Sequence, residues 1–593
     1  LLVNAIKVLR GQPVVDQEET EEFDIALGLA QKIVSIRDSL KHIEEEERLL
    51  NLEISRVAVF GNFSQQDIDY IENATGRKIQ FYCAKHGHAE HNPLPDELLL
   101  VNSSHGLEYY MGINPQSMQY PKMIEMEISR PLGDLQRRQH ELHKEKYSLE
   151  TRLKGYAKYN EFMHKALIEQ MNQYHLDEAN GFVEFPLEAG KLFVVQGWVP
   201  TNKVKEMHAF VEQMDVQVEE IAINPREEPP TCLENEGVAR IGEDLVHIYD
   251  TPSSRDKDPS LWVLVFFSLF FAMIIDDGAY GLVFLLVALY IRRKHAGLKG
   301  AKKRFVDLIA ILGFSCIAWG ILMTSFFGIH FAPDNPMHKF SLMSWMVEKK
   351  AEYHITHADT VYHEWVKKVP ALAGVKNPQE FLMKAAEPNA HGGMKYEAFE
   401  VFADNILLEL ALLLGVIHIV LSMCRNLSRN WAYIGWIILI IGGYLYAPSF
   451  LNAVGMPNYI LGISKELTER NGLYMIYTGL ITGVILAGCQ HKIIGILETT
   501  VVIQIFGDIL SYLRLYALGL SGAMLASTLA DLAASVPLVF GIMILVVGHI
   551  INIALGVMGG VIHGLRLNFL EWYHYCFEGG GKVFRPLKKH EVE

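Results

Sequence analysis

The first half of the chain carries two series of apolar residues with the spacing of packed helices. One series follows a 4-3-4-3-7 spacing and consists of Leu29, Ile33, Ile36, Leu40, Ile43 and Leu50. A matching series consists of Leu132, Leu135, Leu142, Leu149, Leu153, Tyr156, Met163 and Leu167. At 1.5 Å per residue the second helix is roughly 55–60 Å long. The pattern therefore predicts an antiparallel coiled-coil hairpin that forms an arm.

Short strand signals lie between and after these two helices. They are 56-RVAVFG-61, 77-RKIQFY-82, 97-ELLLVN-102 and 191-KLFVVQGWVP-200, each near a polar helical stretch. They predict two small α/β lobes, one at each end of the hairpin.

The second half of the chain is dominated by long apolar runs. They lie near 258–276, 279–292, 305–329, 404–423, 431–453, 473–489, 493–532 and 538–575. Each is long enough to suggest a membrane span, although the second is short. The last two runs approach 40 residues, about twice the length needed to cross a bilayer, so those helices must tilt or emerge beyond it. We expect an α-helical membrane protein with eight transmembrane helices.

Basic residues indicate the orientation of these spans. The loop 292-RRKHAGLKGAKKR-304 holds seven Lys or Arg, and Arg425, Arg429, Lys492 and the tail 582–590 fall on the same side if the spans alternate. Both termini are then cytosolic, and the long insertion 331–402 lies on the other side. The sequence thus predicts a cytosolic arm at 1–257 and a membrane domain at 258–593.

Composition excludes several functional classes. The net charge of −15 argues against a nucleic-acid partner. Six scattered cysteines without a CxxC pair favour a reducing, cytosolic front half. The sequence has no complete phosphate-binding loop, since 579-GGGKVF-584 lacks the first half of that motif, so we expect no nucleotide site and no cofactor.

Two histidine-rich tracts raise the question of a metal site. The tract 83-CAKHGHAEH-91 has irregular spacing and includes Lys85, which does not suit a closed tetrahedral ligand set. The tract 354-HITHADTVYHE-364 lies in the insertion, where a polar surface helix or loop is the simpler interpretation. We assign a metal to neither.

Charged residues inside the apolar runs are the main functional signal. Arg514 lies about 20 residues from either end of the run 493–532, beyond the reach of its own side chain to the membrane surface. His563 and Arg566 are three apart on the last run and share a helix face. The nearby carboxylates are Asp508, Glu571 and Glu498. Such groups in neighbouring helices indicate an ion path, the alternative being arginines at the interface of tilted helices.

Four segments resemble the membrane subunit of vacuolar- and archaeal-type rotary ATPases, called subunit I or subunit a. They are 508-DILSYLRLYALGLS-521, 563-HGLRLNFLEWYHYCFEGGGKVFRPL-587, 319-WGILMTSFFG-328, and 249-YDTPSSRDKDPS-260 leading into 270-FFAMIIDDGAYG-281. The front half, including 197-GWVP-200, is similar to the hairpin arm of that family. The resemblance covers nearly the whole chain and is closest to bacterial members, which places the protein in a bacterial inner membrane.

The resemblance implies a stator and ion-translocating subunit. Its last spans would face a rotating ring of proteolipid subunits, each with one carboxylate in mid-membrane, and two offset aqueous half-channels would lead ions to and from that ring. The positions that match the ring-facing residues are Arg514, Arg566 and His563. Further partners implied are the peripheral stalk subunits at the arm and a central-stalk adaptor subunit, and the ion is H⁺ or Na⁺.

The resemblance is less direct at the carboxylates. Asp508 and Glu571 match acids of the family and are expected in the ion pathway, whereas Glu498 lies two residues from the matching glutamate of eukaryotic relatives. Asp276 and Asp277 stand where Gly-Asp is usual, and both a turn role and an ion-path role fit them.

Two other functional classes also fit a protein of this composition. A self-contained secondary transporter would carry internal repeats with broken helices, and we find no such repeat. A structural membrane tether would need no arginine in mid-membrane, so the behaviour of Arg514 variants separates it from a stator.

Overall fold

The computed structural model describes residues 1–13, 24–86, 95–104, 106–183, 193–214, 216–224, 226–329, 332–333, 335–388, 394–492 and 500–590. The chain divides into two compact units. The first consists of Leu1–Gly197 with Arg585–Glu593, and the second is Trp198–Phe584.

Among its described residues, the first unit contains five α-helices and one sheet. The helices are α1 (Leu2–Leu9), α2 (Asp24–Val57), α3 (Gln65–Thr75), α4 (Leu132–Tyr156) and α5 (Asn160–Asn180). The strands are β1 (Lys78–Lys85), β2 (Leu98–Ser104), β3 (Leu107–Asn114) and β4 (Ile124–Met126), in the antiparallel order β2-β3-β1-β4.

Helices α2 and α4 pack side by side in opposite directions. Their shared core contains Ile43 and Leu50 from α2 and Leu135 and Leu142 from α4. Ion pairs line the seam: Arg130–Glu53 at 2.6 Å, Arg138–Glu46 at 2.9 Å and Lys146–Glu47 at 3.1 Å. Arg130, just before α4, pairs with Glu53 near the end of α2, whereas Arg138 and Lys146 further along α4 pair with Glu46 and Glu47, earlier in α2, which defines the antiparallel direction. Because these pairs are at least partly exposed to solvent, the apolar seam contributes most of the packing energy.

Two of the four predicted strands are present, as β1 and β2. The strand expected at 56–61 is wrong, because α2 continues to Val57 and a 3₁₀ turn follows at Ala58–Phe60. Leu50, Ile54 and Val57 extend the helical 4-3 spacing onto α4, and this packing outweighs the local β-propensity. No strand forms in the described part of the stretch expected at 191–200.

The long apolar helices found among the described residues lie in the second unit. Before the insertion it has α6 (Val204–Val211), α7 (Ala239–Val246), α8 (Ser260–Ile275), α9 (Gly278–Lys294) and α10 (Gly300–Met323). The insertion holds α11 (Leu342–His357), α12 (Thr360–Lys368), α13 (Pro378–Lys384) and the hairpin of β5 (Ala386–Pro388) and β6 (Met394–Tyr396). Then follow α14 (Glu397–Arg425), α15 (Tyr433–Phe450), α16 (Met456–Tyr459), α17 (Lys465–His491), α18 (Val501–Ser511), α19 (Leu513–Ala534), α20 (Leu538–Arg566) and α21 (Tyr573–Cys576).

Within the described residues, six helical segments are long and apolar enough to cross a membrane. They are Gly300–Met323, Glu397–Arg425, Tyr433–Phe450, Lys465–Gln490, Val501–Ala534 and Leu538–Cys576. The protein is therefore an α-helical, multi-pass membrane protein. The first two of the eight expected spans fold as α8 and α9, which have 16 and 17 residues and so fall short of the roughly 20 needed for a full span.

Close helix crossings in this unit depend on glycine. A Cβ atom on Gly435 of α15 would lie 2.1 Å from the backbone nitrogen of Gly483 on α17. A Cβ atom on Gly320 of α10 would lie 2.3 Å from the backbone of Gly278 on α9. Small residues at such crossings allow the van der Waals packing that holds helices together in lipid.

The insertion folds onto α14 and buries one of its histidines. His354 is 2 % exposed and its Nδ1 lies 2.6 Å from Oδ2 of Asp359, which also caps α12 by accepting from the Tyr362 amide. The surface position expected for this tract is therefore wrong for His354. The physical reason is that Val347, Ala351 and His354 share the buried face of α11.

Lys350 is buried beside this histidine, and its burial predicts that the stability of the folded protein depends on pH. It is 7 % exposed, and burial lowers its pKa from 10.5 to about 8, although the Glu409 carboxylate opposes the shift. The folded state then binds fewer protons than the unfolded state between pH 8 and 10.5, so stability rises with pH across this window. We expect the melting temperature of Lys350→Met to exceed that of the wild type by several degrees at pH 7. This difference should shrink as the pH rises above 8, because Lys350 of the folded wild type then loses its charge.

The neighbouring residue supplies the control for this measurement. Lys349 lies on the exposed face of α11 and pairs with Glu352 at 2.8 Å. Lys349→Met should leave the melting temperature and its pH dependence unchanged, because a surface pair contributes little. Parallel pH curves for Lys350→Met and the wild type would contradict the burial argument.

Candidate functional site

The site forms where the helix that carries Arg514 is interrupted. The apolar run predicted as one helix is described from Thr500 as α18 and α19, separated at Tyr512. The Tyr512 side chain is fully buried, and Arg514 follows in the first turn of α19. The interruption therefore lies directly beside the arginine.

Arg514 lies close to the second arginine and to the histidine. The charges of Arg566 and Glu571 act on Arg514, and those of Arg514 and Arg566 act on His563. The structure thus brings together Arg514, Arg566 and His563, which come from α19 and α20. Two like charges in one cluster are unfavourable unless an anion or water compensates them.

Two buried polar atoms of this cluster have no partner in the part of the chain that the structure describes. They are Nη1 of Arg514 and Nδ1 of His563. Leaving a buried donor unsatisfied costs about 1–3 kcal/mol, and more for a charged group. The cluster is therefore incomplete in the isolated chain and is suited to an external anionic group.

Two of the predicted carboxylates, Glu571 and Asp508, lie on turns next to this cluster. Glu571 is 4 % exposed and its Oε1 accepts from the Ser511 hydroxyl at 2.5 Å. Asp508 lies on α18 one turn before Ser511, and its carboxylate accepts from the Tyr575 hydroxyl at 2.5 Å. Both acids therefore lie between α18 and the end of the last span. Glu498 lies outside the described residues.

A π-helical segment explains how Glu571 reaches this position. Residues Leu567–Trp572, directly after Arg566, are wound as a π-helix. In a π-turn, residues five apart are bonded neighbours, whereas an α-helix would rotate Glu571 about 140° away from Arg566. Sequence periodicity does not reveal this segment, because nothing in its composition departs from an ordinary helix.

Asp276 and Asp277 form the turn between α8 and α9. Asp276 adopts a left-handed backbone conformation with φ 46°, and its Oδ1 accepts from the Trp319 indole at 2.8 Å. Asp277 caps α9 by accepting from the amides of Ala279 and Tyr280 at 2.8 and 3.1 Å. A turn role and an ion-path role were both expected for this pair, and these bonds support the turn role.

A polar chain that the sequence did not suggest joins α9, α19 and α20. The Tyr280 hydroxyl lies 2.6 Å from Nδ1 of His549, and Nδ2 of Asn552 donates to that hydroxyl at 3.1 Å. Asn552 also donates to the Gly522 carbonyl at 3.0 Å. The spacing of His549 and Asn552 on one helix face is a signal that sequence inspection can detect, but their partners come only from the fold.

A bundle of apolar helices that carries two arginines, with Nη1 of Arg514 buried and unpartnered among the described residues, is typical of a multi-pass membrane protein of the ion-transporting type. Comparison with known proteins gives the family: the chain belongs to the V-type ATPase 116 kDa subunit family, whose model matches residues 54–445.

Relatives extend this similarity over nearly the whole chain. A V-type ATP synthase subunit I of Chlamydia muridarum is 38 % identical over 590 residues, covering 98 % of this chain and 89 % of the relative. The protein of the same name from Borreliella burgdorferi is 23 % identical and covers 95 % of this chain and 87 % of the relative. An A-type ATP synthase subunit I of Methanocaldococcus jannaschii is 26 % identical over 75 % of this chain and 62 % of the relative. The chain is thus a subunit of a rotary ATPase complex.

Proposed function

We propose that this chain is the stator and ion-translocating subunit of its rotary ATPase. The observation that carries the proposal is the buried, unpartnered Nη1 of Arg514 beside Arg566. Arginine stays protonated at any accessible pH and favours the ionised form of a nearby carboxylate. A ring carboxylate that passes Arg514 therefore releases its ion, and the same positive charge blocks a direct leak.

The two polar groups on either side of this cluster suit the two half-channels. Asp508 and Glu571 form one, and the polar chain of Tyr280, His549 and Asn552 forms the other. With alternating spans and the basic loop 292–304 in the cytosol, the first opens to the cytosol and the second to the opposite side. The offset between them requires the ring to turn for an ion to cross.

The remaining features extend this proposal to the whole chain. The membrane unit has eight spans if the short helices α8 and α9 also insert, and both termini are cytosolic at a bacterial inner membrane. The antiparallel pair of α2 and α4, together with the sheet of the first unit, forms the arm that binds the peripheral stalk and the central-stalk adaptor. The chain has no catalytic nucleotide site of its own.

Reconstitution of the purified complex tests this function. The complex should contain a proteolipid with one buried carboxylate, and its vesicles should take up H⁺ or Na⁺ when ATP is added outside. Uptake that an uncoupler abolishes identifies H⁺, whereas uptake that only a sodium ionophore abolishes identifies Na⁺. Ion transport by vesicles that contain this chain alone would instead identify a secondary transporter.

A further inference from the structure

Helix α14 carries a polar stripe within an otherwise apolar span. His418, Ser422 and Asn426 are spaced four apart, so they lie on one face of the helix and just beyond its end. His418 and Ser422 are both fully buried. Ionisable residues inside a span are rare and by default have a function.

Each residue of this stripe forms a hydrogen bond to the helical segment that carries Arg514 or to the one that carries Glu571, at or near a place where the winding is irregular. Nδ1 of His418 lies 2.7 Å from the Tyr512 hydroxyl, at the interruption before Arg514. The Ser422 hydroxyl donates to the Trp572 carbonyl at 2.6 Å, at the end of the π-segment. Nδ2 of Asn426 donates to the Tyr575 carbonyl at 3.1 Å, in the last turn of α21.

The bonds from Ser422 and Asn426 go to backbone carbonyl groups near irregular parts of the helices. Helix ends and π-turns leave carbonyl groups without regular partners, and lipid supplies no water to satisfy them. Ser422 and Asn426 supply donors from a neighbouring helix. The irregular winding that brings Glu571 toward Arg514 is thereby stabilised by α14.

Tyr512 is held by α14 in two ways. A Cβ atom on Gly415 would lie 2.7 Å from the Tyr512 ring, so only glycine lets the ring lie against the helix there. One turn later His418 holds the hydroxyl. The His418 ring is itself fixed by aromatic neighbours, with the Trp572 ring stacked at 5.7 Å and the Phe266 ring at 4.0 Å. Little freedom is left for Tyr512, which lies two residues before Arg514.

We propose that His418 is a positioning residue for ion translocation, and that the stripe of α14 fixes the angular positions of Arg514 and Glu571. The proposal rests on the function proposed above. When the His418–Tyr512 bond is lost, α19 gains rotational freedom at its first turn, and the guanidinium no longer stays between the two half-channels. Rotation and transport then become partly uncoupled.

The test compares variants of the assembled complex in vesicles by three readouts: ATP hydrolysis, ATP-driven ion uptake, and passive ion leak. His418→Leu should lower uptake per ATP by about threefold or more and raise the leak, since positioning errors of this size have large effects. His418→Asn keeps a polar atom near the place of Nδ1 and should recover at least half of the coupling. Tyr512→Phe, which removes only a hydroxyl, should reproduce His418→Leu even if the latter assembles poorly.

The double variant sharpens this comparison. His418→Leu with Tyr512→Phe should be no worse than either alone, because both remove the same bond. Hydrolysis and uptake that fall in equal proportion in both single variants would overturn the proposal and leave a structural role only. If Arg514→Ala abolishes uptake while these variants stay coupled, only this inference fails. If Arg514→Ala keeps full uptake, the proposed function itself fails.

Discussion

Arg514→Ala and Arg514→Lys should both reduce ATP-driven ion uptake to below about one tenth of the wild-type rate, because a flexible or absent cation cannot replace a fixed guanidinium. The complex should still assemble, since Nη1 of Arg514 has no bond to another described residue that the change would break. The measurement is uptake in vesicles, normalised to the amount of intact complex. In the proposed function, Arg514 supplies the permanent charge that makes each passing ring carboxylate release its ion.

Lysine fails in this position for a physical reason. Its ammonium is a strongly hydrated point charge whose pKa falls on desolvation, so it can lose its proton inside a membrane. Arg292→Lys serves as the matched control, because Arg292 forms an exposed pair with Asp307 at 2.5 Å near the end of α9. Wild-type uptake is expected for the control. Normal uptake by assembled Arg514→Ala would favour the structural tether.

Glu571→Gln is the second change with a large expected effect. Glu571 is 4 % exposed, and it accepts from the Ser511 hydroxyl while its charge acts on Arg514. Gln keeps the shape and one acceptor but cannot bind and release a proton or hold a cation by charge. We expect uptake to fall by about a hundredfold or more with the complex intact, because loss of a positioned proton-transfer group typically costs about 10²–10⁴-fold.

Two further variants test whether the loss of uptake comes from the Glu571 carboxylate itself. Ser511→Ala removes only the hydroxyl that orients Glu571, so uptake should fall less than in Glu571→Gln. Glu578→Gln changes an exposed acid that pairs with Arg429 at 3.2 Å, and it should leave uptake unchanged. A Glu571→Gln complex that transports at the wild-type rate would remove this residue from the ion path and leave it a role in packing the π-segment.

Much of the architecture follows from periodicity. The apolar seams predicted the two helices that pack as α2 and α4, because a sustained 3.5-residue repeat has few alternative structures. The second helix was expected to continue unbroken to Leu167, which is wrong, because a 3₁₀ turn at Ala157–Tyr159 divides that stretch into α4 and α5. The strand expected at 56–61 was wrong because tertiary packing extended a helix through β-branched residues. The eight apolar runs located the helices, yet hydropathy alone does not decide whether helices as short as α8 and α9 span the membrane.

The site was harder to predict than the helices. Arg514, Arg566 and His563 stand out as charges in apolar sequence, and the structure places them together. The interruption at Tyr512 and the π-segment after Arg566 are hydrogen-bonded to α14, which is distant in sequence. Sequence spacing shows that His418, Ser422 and Asn426 share a face, but only the fold shows which groups they bind.

Cysteine cross-linking between α19 and the proteolipid ring tests the central claim most directly. Ser521 lies two turns after Arg514 on the same face of α19 and is exposed in this chain. Ile481 on α17 is 58 % exposed and serves as the control position. With the six native cysteines replaced, Ser521→Cys should form a disulfide with a cysteine placed near the ring carboxylate, and Ile481→Cys should not. Equal cross-linking at both positions, or none at Ser521→Cys in a complex that transports ions, would contradict the account.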